Sequence, residues 1–268
     1  MNTELAQIVS LVAYGNRYLY GESEEAPQNS TFNFVSGVKF ARYKNARETN
    51  GVEVASSVAE WFAWLREQKA TRLWNIAFSW DRQDMPEYRM AGFAGGIPRA
   101  IQADMPDSFE LWYPRWQTGA LDKAKPWLVE YRALTFNNSY LLPVGGMKPV
   151  KKHLEKALSA AEKFSRRPQV KLEFWADRFK AALELLRSST PVVQSFPDLL
   201  PTAGFSLEAR QVLAASAQAY VFGGMGSWND LGFEQPELQK EYSEITGELY
   251  TAIKFGIVQA SNSFQPEK

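Results

Sequence analysis

The segment "VKKHLEKALSAAEKF", residues 150–164, decides how the rest of the chain is read. Val150, Leu154, Leu158 and Ala161 recur at helical spacing among lysines and glutamates. Three further segments downstream repeat this character. "LEFWADRFKAALELLRSS" (172–189) puts Leu172, Trp175, Phe179, Leu183 and Leu186 on one stripe. "SLEARQVLAASAQAYVF" (206–222) begins at Ser206, whose hydroxyl suits an N-cap. The last helix, from 235 to 264, starts beside Pro236, where a missing N–H costs nothing. Its stripe is Leu238, Tyr242, Ile245, Leu249 and Ile253.

Upstream of Lys148 the pattern is different. Glycine and proline punctuate the chain from Gly92 to Gly146, and short runs alternate with period two. "RLWNIAFSW" (72–80) carries Trp74, Ile76, Phe78 and Trp80 on one parity and is expected to turn them to the core. "STFNFVSGVKFARY" (30–43) reads as one bulged strand or two short ones. Strands are also expected in 91–104, 108–116, 126–136 and 139–144. "GVEVASSVAEWFAWLREQ" (51–68) reads as a helix, with Val54, Val58, Trp61, Phe62 and Leu65 along it. The opening segment, with Leu5, Ile8, Val9 and Val12, is an amphipathic helix without the basic region of a signal peptide. The expectation is an α+β fold: a mixed sheet-containing part over 1–147 and a helical bundle over 148–268, with room for one shared core.

Composition narrows the chemistry. Lys+Arg and Asp+Glu are 30 each, which argues against a nucleic-acid partner and a polybasic membrane anchor. No apolar run reaches a membrane span, so a cytoplasmic protein is expected. Without cysteine there is no disulfide, thiolate nucleophile or zinc–thiolate site. The one histidine, His153, lies among Lys151, Lys152 and Glu155 and reads as a surface residue. Hence no cofactor and no bound transition metal are expected. The row Glu237, Glu241, Glu244 and Glu248 reads as a solvated helix face.

Two stretches stand out as candidate sites. "WDRQDMPEYR" (80–89) places Asp81, Arg82 and Asp84 after a strand, where carboxylates can do acid–base work. "GGMGSWNDLG" (223–232) fits no phosphate-loop pattern. Gly223-Gly224 is expected to cap the preceding helix at positive φ, and Asn229-Asp230 to brace the turn. Trp228 either plugs into the bundle or serves binding. Trp112 and Trp116 are further candidate contacts, because tryptophan anchors interfaces.

The stretch Gly223–Asp230, with Leu249-Tyr250 and Ala260–Ser263, resembles a group of uncharacterised bacterial domains. These end in an alanine-rich helix, a GGMGS[WF]ND turn and a final helix. That resemblance covers the last quarter of the chain and implies a recurrent fold element. "ARET" (46–49), the helix from Val54 to Gln68 and the tryptophan-bearing strand after it resemble immunity proteins of bacterial toxin systems. This implies a protein that binds a partner, perforce without turnover, such as the product of a neighbouring gene. The alternative is a carboxylate-dependent hydrolase or small-ligand enzyme using Asp81, Asp84 and the 223–230 turn.

Overall fold

A computed structural model describes residues 1–79, 85–93, 98–119, 122–137 and 145–266. The fold is α+β. Six strands form one mixed sheet: β1 (Val35–Arg42), β2 (Val52–Ala55), β3 (Arg72–Ala77), β4 (Arg99–Asp104), β5 (Phe109–Thr118) and β6 (Trp127–Phe136). Their order is β2-β1-β6-β5-β4-β3, with β1 and β6 parallel and every other pair antiparallel.

The helices are α1 (Thr3–Leu19), α2 (Val58–Glu67), α3 (Glu87–Met90), α4 (Met147–Ser165), α5 (Glu173–Leu185), α6 (Leu207–Gln218) and α7 (Pro236–Asn262). α4 packs against α5 and α7, and α6 against α5 and α7. α6 and α7 approach closely at Gly256, where a Cβ would lie 2.5 Å from Ser216 Oγ. Among the described residues, no helix is long and apolar enough to cross a membrane.

α1 joins the two layers. Leu5, Ala6 and Val9 enter the core built by α4–α7, while Ile8, Leu11 and Val12 enter the core between α2 and the sheet. A helix apolar around most of its circumference is an interior helix, and α1 is one. The composition boundary at 147 therefore separates strand-rich from helical sequence, while both cores draw on α1.

Aromatic rings fill the sheet core. Phe40 stacks on Trp61 at 4.3 Å and on Tyr131 at 5.1 Å, and Trp112 meets Trp61 edge-on at 5.4 Å. The segment 51–68 is not all helix. Val52–Ala55 pairs with β1, and α2 begins only at Ser57, whose hydroxyl accepts from Glu60 N. Glu60 in return accepts from Ser56 N at 2.8 Å. This reciprocal capping fixes the helix start and frees the alternating residues before it for a strand.

The expected parity of β3 is corrected. Leu73 and Asn75 face the helices, while Trp74 and Ile76 lie on the opposite face. Periodicity favoured the larger side chains, but Asn75 is buried with its Nδ2 donating to Ser261 Oγ at 3.0 Å and its backbone held by Asn262. Trp80 lies outside the described residues. Among the described residues of 91–104 only β4 is a strand, while 94–97 and 139–144 lie outside the described residues. Ser206 caps α6 by accepting from Ala209 N, and Pro236 opens α7, both as expected.

Candidate functional site

The 223–232 stretch forms a braced turn between α6 and α7. α6 stops at Gln218, and the cap residue Ala219 keeps a negative φ of −86°. Gly223 and Gly224 are therefore not the helix cap, and the left-handed position is Gly226, at φ +82°. The chain leaves the helix early because Val221 and Phe222 are drawn inward. Phe222 meets Tyr250 edge-on at 4.9 Å.

Trp228 anchors the turn from inside. Its side chain is fully buried against Phe179, Trp175, Tyr242 and Phe164, with ring centroids 5.1 to 6.5 Å away. Its indole N–H donates to Thr246 Oγ1 at 3.0 Å. Burial pushes the Tyr242 hydroxyl up to about 12, so it keeps its proton and donates to the Trp228 carbonyl.

Asn229 and Asp230 hold the turn's backbone. Asn229 Oδ1 accepts from Gly223 N at 3.0 Å, and its Nδ2 donates to Gly223 O at 3.2 Å and Tyr88 O at 3.4 Å. Asp230 Oδ2 accepts from Gly226 N at 2.9 Å. The Ser227 hydroxyl sits between the Gly224 carbonyl and Asn229 Oδ1.

The bond to Tyr88 ties α3 to the turn. Gly92 closes the contact: a Cβ there would lie 2.3 Å from Gly223 O and 2.9 Å from Asn229 Nδ2. α3 is also tied to α7, where Lys254 holds Glu87 at 2.6 Å. Between α3 and the turn lies a cavity of about 540 Å³, lined by Met85, Arg89, Phe93, Met225, Asp230 and Leu231 among others. Met225 is 98% exposed and Phe93 59% exposed. Arg89 makes no ion pair among the described residues.

Of the residues singled out from sequence, Asn229 and Asp230 line this cavity, and Trp228 supports it from the core without a surface of its own. Trp112 is fully buried under α2 and Trp116 is partly buried against Trp127 at 5.9 Å, so both belong to the sheet core. Asp81, Arg82 and Asp84 lie outside the described residues. The segment that carries them continues into Met85 and Arg89, so both stretches singled out from sequence contribute to one cavity. Sequence reasoning passed over Gly92, Phe93 and Met225. The signal for Gly92 was its place in a glycine-rich run, which periodicity had assigned to a strand.

His153 is on the α4 surface and meets Glu248 at 2.8 Å, while Glu241 takes Arg167 in a two-pronged pair at 2.6 Å. No protein-family model, curated protein or solved structure matches the chain.

Proposed function

We propose that this chain is a cytoplasmic, non-enzymatic partner-binding protein of the immunity type, which inhibits a bacterial toxin by occupying it stoichiometrically. The observation carrying this reading is the contrast within the α3–turn cavity. Its wall is fixed by Trp228, Asn229 and the Gly92–Gly223 contact, while its rim exposes Met225 and Phe93. A rigid frame presenting apolar side chains to solvent suits a protein contact, because little ordering entropy opposes binding.

The test mixes the protein with the product of its neighbouring gene at ratios from about 0.01 to 2 equivalents, spanning catalytic and stoichiometric regimes. Inhibition that saturates near one equivalent, lost in Met225→Asp and Phe93→Asp, supports the reading. Full effect at about 0.01 equivalents, abolished by Asp81→Asn or Asp84→Asn, overturns it in favour of the carboxylate enzyme.

A further inference from the structure

The two edges of the sheet are treated differently. At β3 the outer backbone is occupied: Asn16 Nδ2 donates to Leu73 O at 2.9 Å and Asn16 Oδ1 accepts from Leu73 N at 2.8 Å. Asn262 does the same to Asn75, at 3.0 and 2.7 Å. Two side-chain amides thus stand in for a seventh strand. At the other edge, β2 has four residues and pairs only with Phe40–Arg42 of β1. The chain then turns into α2 at Ser56 and Ser57. Beyond Ala55, the column in line with β2 has no strand opposite Val35–Lys39 among the described residues.

A groove of about 450 Å³ runs beside this stretch, lined by Gly37, Lys39, Glu53, Ser56, Leu128 and Glu130 among others. Unpaired strand edges are templates for another strand, and folds normally cover or blunt them. We infer that the open half of β1 is a docking slot for an extended segment of a protein partner, which joins the sheet in line with β2.

The slot also specifies that segment's chemistry. Ladder pairs place Gly37 with Leu128, Lys39 with Glu130, and Ala41 with Glu53, so these residues share the sheet face turned away from α2. Gly37 has no side chain, and Leu128 beside it is 42% exposed. A large apolar residue opposite Gly37 would cover Leu128. Lys39 is already held by Glu130 at 3.2 Å, whereas Glu53 is exposed and has no ion pair among the described residues. A basic residue two positions along the incoming strand falls opposite Lys39, whose ammonium is turned to Glu130, and next in line with Glu53 on the same face, where its long side chain reaches the Glu53 carboxylate. On the opposite face the segment would lie against Val38, which packs on the sheet core, and would be apolar there. The partner segment is therefore short, extended and alternating, with a basic residue flanking a central apolar one.

The slot shares no residue with the α3–turn cavity, so this inference stands whether or not that cavity binds a toxin. The probe is the palindromic peptide acetyl-Lys-Val-Leu-Val-Lys-amide, which presents leucine to Gly37 and a lysine to Glu53 in either strand direction. The control carries glutamate in place of both lysines. Amide hydrogen exchange on the full chain at millimolar peptide is expected to slow across residues 35–39, more with the lysine peptide than with the control. Glu53→Lys, a surface change that leaves the fold intact, is expected to reverse that preference. The inference is overturned if exchange across 35–39 does not respond to the lysine peptide. It is equally overturned if both peptides act alike on the native chain and on Glu53→Lys. Concentration-dependent dimerisation that already protects 35–39 without peptide would make a second copy the occupant and overturn the proposed one.

Discussion

Asn16 of α1 and Asn262 of α7 hydrogen-bond the outer edge of β3 two residues apart, each offering one donor and one acceptor to one strand residue. The helical bundle is fastened to the sheet through these four bonds. Arg72 adds a second contact by donating to the carbonyls of Asn262 and Phe264, both at 3.0 Å. Both asparagines are buried, so a missing amide would not be replaced by bulk water.

Asn16→Ala should therefore destabilise by about 2 kcal/mol or more, because it orphans a buried N–H and a buried C=O together. Asn262→Ala should cost at least as much, since Asn75 depends on it. Denaturant unfolding of each variant measures this. A loss below about 0.5 kcal/mol for both would mean that the amides are bystanders.

Trp228→Ala should cost about 3–5 kcal/mol, the range for emptying a large aromatic site. Trp228→Phe should recover much of this, since a ring still faces Phe179, but Thr246 loses its donor. Thermal unfolding of the pair separates ring packing from the hydrogen bond. Equal melting temperatures for Trp228→Ala and the native chain would contradict the burial of this side chain.

Helix stripes were legible in the sequence because amphipathic periodicity is a local property, and α4, α5, α6 and α7 follow it. Ser206 and Pro236 were legible as starts for the same reason. β3 was misread because its buried polar residue Asn75 is held by Ser261 and Asn262, far along the chain. The turn was half legible. Asn229 and Asp230 brace it as their side-chain chemistry suggests, but the positive φ falls on Gly226. The close approach instead falls at Gly92, which must lack a side chain to meet the Gly223 carbonyl, a contact between distant segments that no local rule signals.

That contact gives a discriminating pair of substitutions. Gly92→Ala forces a methyl group to within 2.3 Å of the Gly223 carbonyl and should cost about 1–3 kcal/mol by overpacking. A Cβ on Gly224 would be 3.9 Å from the nearest atom, Gly92 O, and its φ is not left-handed, so Gly224→Ala should be tolerated. If both glycines behave alike in unfolding experiments, α3 is not clamped to the turn as described.

Surface and frame should also separate. Met225→Asp changes a side chain that is 98% exposed, so stability should stay within about 0.5 kcal/mol. On the proposed function the same variant loses partner affinity. Calorimetric melting and a binding titration on one preparation distinguish the two effects. A Met225→Asp variant that melts early would place Met225 in the fold rather than at an interface.

The acid side of stability rests partly on Glu4. Burial raises its carboxyl above the ordinary carboxylate value, and the charge of Arg99 only partly offsets this. The native state therefore holds the Glu4 proton more tightly than the unfolded chain does. From that sign, this group stabilises the fold most at low pH and loses its contribution as pH rises from the usual carboxylate range through the raised native value. Glu110, raised by burial against the pull of Arg42, adds the same slope in any variant and cancels in a difference. Glu4→Gln removes the titration but leaves Arg99, itself buried, without its neighbouring carboxylate. That loss is a constant offset wherever Glu4 is ionised and does not alter the sign of the slope set by the raised value. The stability of Glu4→Gln minus that of the native chain should thus increase with pH across this window and then level off. Denaturant unfolding of both proteins at matched ionic strength over the acidic to neutral range measures the difference. A difference that falls as pH rises would show Glu4 held ionised by Arg99, with its native value lowered rather than raised.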